Sequence, residues 1–199
     1  AIIAYEAANK IDPFNVEVRN NYGLLLSNSN HEAAREQFLA AIELNKNFID
    51  PYVNLANQLI KSNQFIEAKI YIDEAVKRAP NHIKAQIALA DLYRATNEYQ
   101  KAELVYTSLL RSGHSTPDLH YKIGVLRFLH NNLHEALKSF DKALYAEPDN
   151  LDYLKAKSLS LILTDKCIEA AKILIKIFDM SPGDPEALSQ LDNLFSRGQ

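Results

Sequence analysis

The 199-residue chain is 47% hydrophobic and 24% charged, a composition that is typical of a folded protein and excludes a disordered one. Its formal net charge of −3 gives no basic surface for phosphates, so nucleic-acid binding is not expected. The single cysteine excludes an internal disulfide framework, and no apolar run is long enough to predict a membrane-spanning helix.

An alanine column recurs along the chain at spacings of 33, 34, 34, 34 and 34 residues. Each alanine is followed four residues later by a large apolar side chain, so both lie on one face of a helix. The alanines are Ala1, Ala34, Ala68, Ala102, Ala136 and Ala170, and the apolar residues are Tyr5, Phe38, Ile72, Tyr106, Phe140 and Leu174. Such a period with a helical face predicts a stack of helical hairpins.

In chain order, the repeat predicts a lone second helix, five helical hairpins and a closing helix within one array. The lone helix covers residues 1–14, the hairpins cover 16–48, 49–82, 83–116, 117–150 and 151–184, and the closing helix covers 185–199. A second helix without its first helix exposes the face that it should bury. We therefore interpret the chain as a fragment of a longer protein.

A second column consists of small residues 12 positions before the alanine of most repeats: Ala56, Ala90, Gly124 and Ser158. Gly23 lies one residue out of this register, which predicts a one-residue deletion in the turn between Ser27 and His31. Small residues at facing positions allow the two helices of a hairpin to pack closely.

Three helix starts are marked by a capping residue directly before a proline. The predicted N-caps are Asp50, Thr116 and Asp184, followed by Pro51, Pro117 and Pro185. These starts agree with the hairpin boundaries that the repeat predicts.

The columns resemble the tetratricopeptide repeat family, whose pattern is W-x₂-L-G-x₂-Y, then A-x₃-F, then P. The third hairpin carries Leu89-Ala90-x₂-Tyr93 before Ala102 and Tyr106, and the fourth carries Ile123-Gly124, Ala136-x₃-Phe140 and Pro148. The absence of tryptophan is a mild departure. The resemblance implies an all-α, right-handed α-solenoid, acting as a non-catalytic scaffold that binds a protein or peptide segment in its concave groove.

In this family the first helices line the groove, so the resemblance also implies which residues contact a partner. They are Asn21, Asn54, Asn57, Lys84, Arg94, Tyr121, Lys122, Val125 and Phe128. Asn21 and Asn54 hold equivalent positions in consecutive repeats, as do the backbone-binding asparagines of O-linked N-acetylglucosamine transferases. An amide offers both a donor and an acceptor to an extended peptide backbone. The alternative is solvated polar surface.

Carboxylate-clamp repeats, which bind the tails of chaperones, are a poorer match. The clamp positions are occupied here by Asn20, Leu24, Asn54, Lys84 and Ala88. Only Asn54 and Lys84 fit the clamp pattern, so a chaperone-tail function is disfavoured.

The other half of the implied groove is apolar. Tyr121 and Phe128 are predicted to anchor an amphipathic helix, an apolar peptide or a second copy of the chain. The alternative is that the closing helix covers part of this surface through Leu188, Leu191 and Leu194, because terminal repeats need a cap.

A catalytic site has little support in the sequence. Ser115, Asp118 and His120 offer a hydroxyl, a carboxylate and an imidazole, but they lie around a turn whose capping residues account for them. Cys167 holds an apolar position of its repeat, where a small buried side chain is expected. We predict no catalytic residue.

A metal site is also not predicted. His130 and His134 have the spacing of two zinc ligands on one helix face, but the turn at Asn131-Asn132 breaks the helix between them. No glycine-rich phosphate loop occurs, so we predict no cofactor.

Two other functions remain open alongside a free-standing scaffold. The array could be the substrate-recruiting arm of a larger enzyme, such as a glycosyltransferase similar to the O-linked N-acetylglucosamine transferases. It could also belong to a bacterial pilus or envelope-assembly protein, because Asn20-Asn21-Tyr22-Gly23 resembles repeats of pilus-assembly lipoproteins.

Overall fold

Twelve α-helices make up the part of the chain that the computed structural model describes, residues 2–197, with side chains to residue 194. They are α1 (Ile2–Ile11), α2 (Val16–Leu26), α3 (His31–Leu44), α4 (Asp50–Lys61), α5 (Phe65–Arg78), α6 (Ile83–Ala95), α7 (Tyr99–Arg111), α8 (Pro117–Leu129), α9 (Leu133–Ala146), α10 (Leu151–Leu163), α11 (Cys167–Met180) and α12 (Pro185–Arg197). No strand occurs in this range, which confirms the predicted all-α helical repeat fold. Ala1 and the predicted end of the closing helix at 198–199 lie outside the described residues.

The chain divides into two compact units, Ala1–Val105 and Tyr106–Gln199. In the first unit, α2 packs against α3 and α4 against α5, while α4 also contacts α3 and α6. In the second unit, α8 packs against α9 and α10 against α11, while α10 also contacts α9 and α12 contacts α11. Short turns join the members of each strongly packed pair, so these pairs are helical hairpins.

The two residue columns meet inside the hairpins. A methyl group at Gly23 would lie 2.6 Å from Phe38 Cε1, and one at Gly124 would lie 2.5 Å from Phe140 Cε1. Both rings are fully buried. Each ring therefore lies directly against the backbone of the facing helix, and the glycine is needed because nothing larger fits.

Gly23 and Gly124 hold equivalent places in their hairpins, since each lies against a phenylalanine ring. The number of residues between the glycine and its phenylalanine nevertheless differs by one. Gly23 precedes Phe38 by 15 residues, and Gly124 precedes Phe140 by 16. The turn after α2 has four residues and the turn after α4 has three, but α2 ends earlier relative to its small residue. The predicted one-residue deletion therefore lies between Gly23 and Phe38, but its predicted place in the turn was wrong. The end of α2 is two residues shorter than the end of α4, and the turn is one residue longer.

The other turns inside the hairpins share a left-handed residue every 34 positions. These residues are Asn63, Asn97, Asn131 and Asp165, with φ between 56° and 62°. After each of them, the next backbone N–H donates to the carbonyl five residues earlier, at 2.7–2.9 Å. This is the Schellman type of helix end, in which asparagine and aspartate tolerate the left-handed conformation better than most residues.

Asn131→Ala is expected to lower the free energy of unfolding by about 1 kcal/mol, because alanine lacks the local polar contacts that ease a positive φ. Asn131→Gly is expected to leave it unchanged or raise it slightly. Urea denaturation measures both, and Asn132→Ala is the matched control, since Asn132 has φ −92° and its side chain makes no capping hydrogen bond. Equal losses in the alanine and glycine variants of Asn131 would contradict the role of backbone conformation.

Two of the three predicted N-caps are confirmed. Thr116 Oγ1 accepts a hydrogen bond from Leu119 N at 3.2 Å, and Asp184 Oδ1 accepts one from Ala187 N at 3.0 Å. Asp50 was wrongly predicted, because α4 begins one residue earlier and Ile49 is its N-cap. The carboxylate of Asp50 pairs with Lys84 instead of capping its own helix.

Candidate protein-interaction surface

A polar pocket of about 270 Å³ lies beside α2 and α4 in the first unit. It is lined by Leu24, Ser27, Asn28, His31, Asn54, Asn57, Gln58 and Lys61. The four residues from α4 are at positions 54, 57, 58 and 61, an i, i+3, i+4, i+7 spacing that places them on one side of the helix. The pocket, which we call the α2–α4 pocket, includes Asn54 and Asn57 of the predicted groove.

A buried amide network fixes one side of this surface. Asn54 Nδ2 donates to Asn20 Oδ1 at 2.8 Å, and Asn20 Nδ2 donates to Asn21 Oδ1 at 3.4 Å. Asn20 is only 4% exposed, whereas Asn54 is half-buried and Asn21 is exposed. The two predicted asparagines are therefore joined through Asn20, and Asn54 has a structural role in addition to any contact with a partner.

Gln58 is a member of the pocket that the sequence did not predict. Its Nε2 donates to the backbone oxygen of His31 at 2.7 Å, which ties α4 to the start of α3. Its Oε1 is buried and accepts no hydrogen bond within the described residues. The only signal in the sequence is the spacing of Gln58 from Asn54 and Lys61 on one helix face.

Asn57 and Lys61 supply the available polar groups of the pocket. Asn57 is half-buried and Lys61 is exposed. Neither side chain makes a hydrogen bond or ion pair with any other residue in the described range. Both can therefore contact a partner without giving up an internal contact.

The predicted residues on α6 are engaged within the protein. Lys84 Nζ lies 3.0 Å from Asp50 Oδ2, and His82 Nε2 lies 3.6 Å from the other carboxylate oxygen. Arg94 Nε lies 3.8 Å from Asp91 Oδ1. The Lys84 side chain is still 67% exposed, so it can exchange Asp50 for a partner's carboxylate at little cost.

In the second unit, the predicted residues lie together on α8. Tyr121, Lys122, Val125 and Phe128 are all half-buried. The Tyr121 ring packs 4.8 Å from that of Tyr153 and 5.9 Å from that of Phe140, measured between centroids. Burial, with smaller effects from nearby acidic groups such as Glu147 and Asp118, raises the pKa of Tyr153 to about 12. Tyr121 thus belongs to the hairpin core as much as to the surface.

The apolar surface near α8 is only partly covered. Leu191 and Leu194 of α12 pack against the same core cluster as Ile162, so the closing helix does act as a cap for α10 and α11. Leu188 remains 40% exposed and does not join that cluster. Leu129 and Leu163, the last residues of α8 and α10, are 47% and 54% exposed, and Phe128 next to Leu129 is half-buried.

Ser115 of the α7–α8 turn and His120 of α8 are in contact, which the sequence did not predict. Ser115 Oγ lies 2.9 Å from His120 Nε2, beside a pocket of about 300 Å³ that Lys142 and Tyr145 also line. Burial, with smaller effects from Lys142 and Arg127, lowers the pKa of His120. No carboxylate in the described range accepts a hydrogen bond from the other ring nitrogen, so the orienting third member of a catalytic triad is not in place.

His130, His134 and Cys167 lie at or next to helix ends in the second unit. His130 and His134 are both exposed on either side of the left-handed residue Asn131. Across the described residues no group of three or more metal-ligating side chains is assembled. Cys167 is a free, half-buried thiol at the start of α11.

The comparisons with known proteins agree with the repeat that the hairpins show. Models of the tetratricopeptide repeat match residues 59–126 and 117–150. Over 112 residues, or 55% of the chain, the sequence is 30% identical to protein O-mannosyl-transferase Tmtc3 of Drosophila melanogaster. The match spans 12% of the length of Tmtc3.

Solved structures show the same fold at low sequence identity. YrrB, a TPR protein with an unusual peptide-binding site, superposes with a TM-score of 0.63 at 19% identity, covering 95% of this chain and 98% of YrrB. A chain of the APC/C hetero-tetramer Cut9-Hcn1 superposes with a TM-score of 0.88 at 14% identity, covering 97% of this chain and 39% of that one. These likenesses establish the fold alone.

Hairpins with a 34-residue period define an all-α helical repeat protein. The chain belongs to the tetratricopeptide repeat family, and its repeats mark it as a protein-interaction scaffold. No helix in the described range combines the length and the apolar character that a bilayer crossing requires.

Proposed function

We propose that the chain is a non-catalytic scaffold that binds an extended peptide segment across its first helices, with the α2–α4 pocket as the main contact of the first unit. The observation that carries this proposal is the pairing of a fixed amide network with available polar groups. Asn20 holds Asn54 in place, while Asn57 and Lys61 have no internal partner. Preorganised amides can bind a peptide backbone whatever its side chains are.

The proposal is tested by selecting binders to the 199-residue chain from a random peptide display library and measuring their affinity by fluorescence anisotropy. The double variant Asn57→Ala/Lys61→Met is expected to bind the selected peptides about tenfold more weakly, because two direct contacts are lost. Its melting temperature is expected to change little, since neither side chain makes a hydrogen bond or ion pair within the described residues.

The matched control is Lys77→Met/Asn81→Ala, which changes the same residue types at exposed positions on α5 and the turn after it. This control is expected to bind as the unchanged chain does. If both double variants bind the peptides with unchanged affinity, the α2–α4 pocket is not the site.

The exposed Leu129 and Leu163 and the half-buried Phe128 support a second contact, either for an apolar segment of the partner or for self-association. Exposed apolar surface next to polar side chains is typical of interaction sites. Phe128→Asp is expected to weaken any self-association by about tenfold, measured by sedimentation equilibrium, while the circular dichroism spectrum keeps its helical form. A variant that loses its helical spectrum would show that Phe128 stabilises the core instead.

A second candidate function is that of the substrate-recruiting arm of a larger glycosyltransferase. The 30% identity to part of protein O-mannosyl-transferase Tmtc3 favours it. The scaffold would then bind the acceptor protein while chemistry takes place in another domain. Sequencing the gene on both sides of this segment tests this: a catalytic transferase domain would support the arm, and a lipoprotein signal would support the envelope-assembly alternative.

A further inference from the structure

We propose that the α2–α4 pocket recognises a side-chain carboxamide, that of asparagine or glutamine, in the segment that the scaffold binds. This inference deepens the proposed function and rests on it. It starts from Gln58, whose Oε1 is buried without a hydrogen-bond partner in the described range. Buried polar atoms in proteins are nearly always paired, so an unpaired one at a pocket requires an explanation.

The orientation of the Gln58 amide is fixed. Its Nε2 donates to the backbone oxygen of His31 at 2.7 Å, and turning the amide over would place an oxygen against that carbonyl. Gln58 as a whole is only 9% exposed, so the side chain cannot swing out to reach water without losing its packing. Gln58 therefore holds a fixed acceptor next to the pocket, which an N–H or O–H donor would complement.

The other polar groups of the pocket define what else the ligand must offer. Asn54 uses Nδ2 to bind Asn20, which leaves Asn54 Oδ1 as a further acceptor. Lys61 brings a positive charge and three donors on the same helix face, three residues after Gln58. A complementary ligand group thus combines a donor for the two amide oxygens with an acceptor for the lysine.

These requirements exclude most side chains. A carboxylate would pair with Lys61 but would set an oxygen against Gln58 Oε1, and a lysine or arginine would satisfy Gln58 but would lie beside the Lys61 charge. Among the described residues that line the pocket, none is phenylalanine, tyrosine or tryptophan, so a sugar or base has no large ring to stack on. A primary carboxamide carries both a two-proton donor and an acceptor, which matches the pocket.

The pocket is large enough for such a group, but side chains must move before the group can reach Gln58 Oε1. Its volume of about 270 Å³ exceeds what one amide side chain needs. Gln58 Oε1 is closed off from solvent, but Leu24 and Asn28 at the pocket are exposed side chains. A ligand amide can reach Oε1 only if side chains that line the pocket change rotamer, which exposed side chains do rapidly.

The inference is tested by NMR titration of the ¹⁵N-labelled 199-residue chain with blocked amino acids. N-acetyl-glutamine methylamide is expected to shift the side-chain amide signals of Asn54, Asn57 and Gln58 saturably. The corresponding glutamate, lysine, serine and alanine compounds are expected to bind about fivefold more weakly or not at all, because each lacks one of the paired contacts. No saturable shift, or equal shifts with all five compounds, would overturn the inference.

A charge-reversal variant adds a second readout. Lys61→Glu is expected to make the lysine compound bind better than the glutamine compound, because the charge that excluded a cation is replaced by one that attracts it. Lys77→Glu is the matched control, because Lys77 lies in the last turn of α5 as Lys61 lies in the last turn of α4. An unchanged order of affinities in Lys61→Glu would overturn the assignment of the pocket.

Different experimental results would contradict the scaffold function and the carboxamide preference. If display-selected peptides lose affinity in Asn57→Ala/Lys61→Met but show no enrichment of asparagine or glutamine, the scaffold function stands and the carboxamide preference fails. If the glutamine compound occupies the pocket while no peptide binds the chain, the carboxamide site stands and the proposed function fails.

Discussion

Gly124→Val is expected to lower the free energy of unfolding by about 3 kcal/mol, because the side chain would enter space already filled by Phe140. A methyl group at Gly124 would lie only 2.5 Å from Phe140 Cε1, and that ring is fully buried and cannot move aside. The helix preference of valine over glycine recovers only a few tenths of a kcal/mol. Urea denaturation followed by circular dichroism measures the loss.

A double-mutant cycle separates this steric effect from a general loss of stability. Phe140→Leu removes the part of the ring nearest to α8, so the double variant Gly124→Val/Phe140→Leu is expected to be more stable than the sum of the two single losses predicts. Two other hairpins already combine a residue larger than glycine in the small column with an apolar residue smaller than phenylalanine. These combinations are Ala56 with Ile72 and Ser158 with Leu174. Additive losses would show that Phe140 does not limit the size of residue 124.

The fold could be predicted because its determinants repeat. The lone helix and the five hairpins all carry an alanine with a large apolar residue four positions later, so six copies of a weak local signal reinforce one another. The left-handed turn residues repeat with the same period, and the asparagines at 63, 97 and 131 could have been recognised as helix ends in the sequence. The repeated side-chain pattern and the turn residues were thus sufficient to predict the hairpins.

The errors arose where contacts join residues that are distant in the sequence. Asp50 has the sequence context of an N-cap, but the ion pair with Lys84, 34 residues away, gives its carboxylate a different partner. Gln58 is indistinguishable in sequence from a solvated surface residue, because its burial depends on the placement of α3. Single-repeat patterns carry no information about such contacts between repeats.

Asn20 shows how one such contact changes the interpretation of the predicted site. In the next repeat the equivalent position, three residues before the small-column residue, is the buried Val53. An apolar residue would be expected at position 20, yet the chain has a buried amide that is satisfied by Asn54 from the following repeat. Asn54 is therefore a partner-binding candidate and a structural residue at once.

Asn54→Ala is expected to lower the free energy of unfolding by about 2 kcal/mol, because it leaves the buried oxygen of Asn20 without a donor. Adding Asn20→Val is expected to recover most of this loss, since valine needs no hydrogen bond and Val53 shows that it suits the equivalent position. Thermal and urea denaturation of the two single variants and the double variant measure the coupling. If Asn20→Val makes Asn54→Ala less stable still, the hydrogen bond between the two amides does not explain the loss.

The same pair of variants separates folding from binding at the α2–α4 pocket. A loss of peptide affinity in Asn54→Ala alone has two explanations, because the change both removes a surface amide and unsettles the helix that carries it. Asn20→Val/Asn54→Ala removes the same surface amide from a chain of nearly restored stability. If that double variant still binds the selected peptides about tenfold more weakly, Asn54 contacts the partner directly; if its affinity returns to that of the unchanged chain, Asn54 acts only by holding α2 and α4 together.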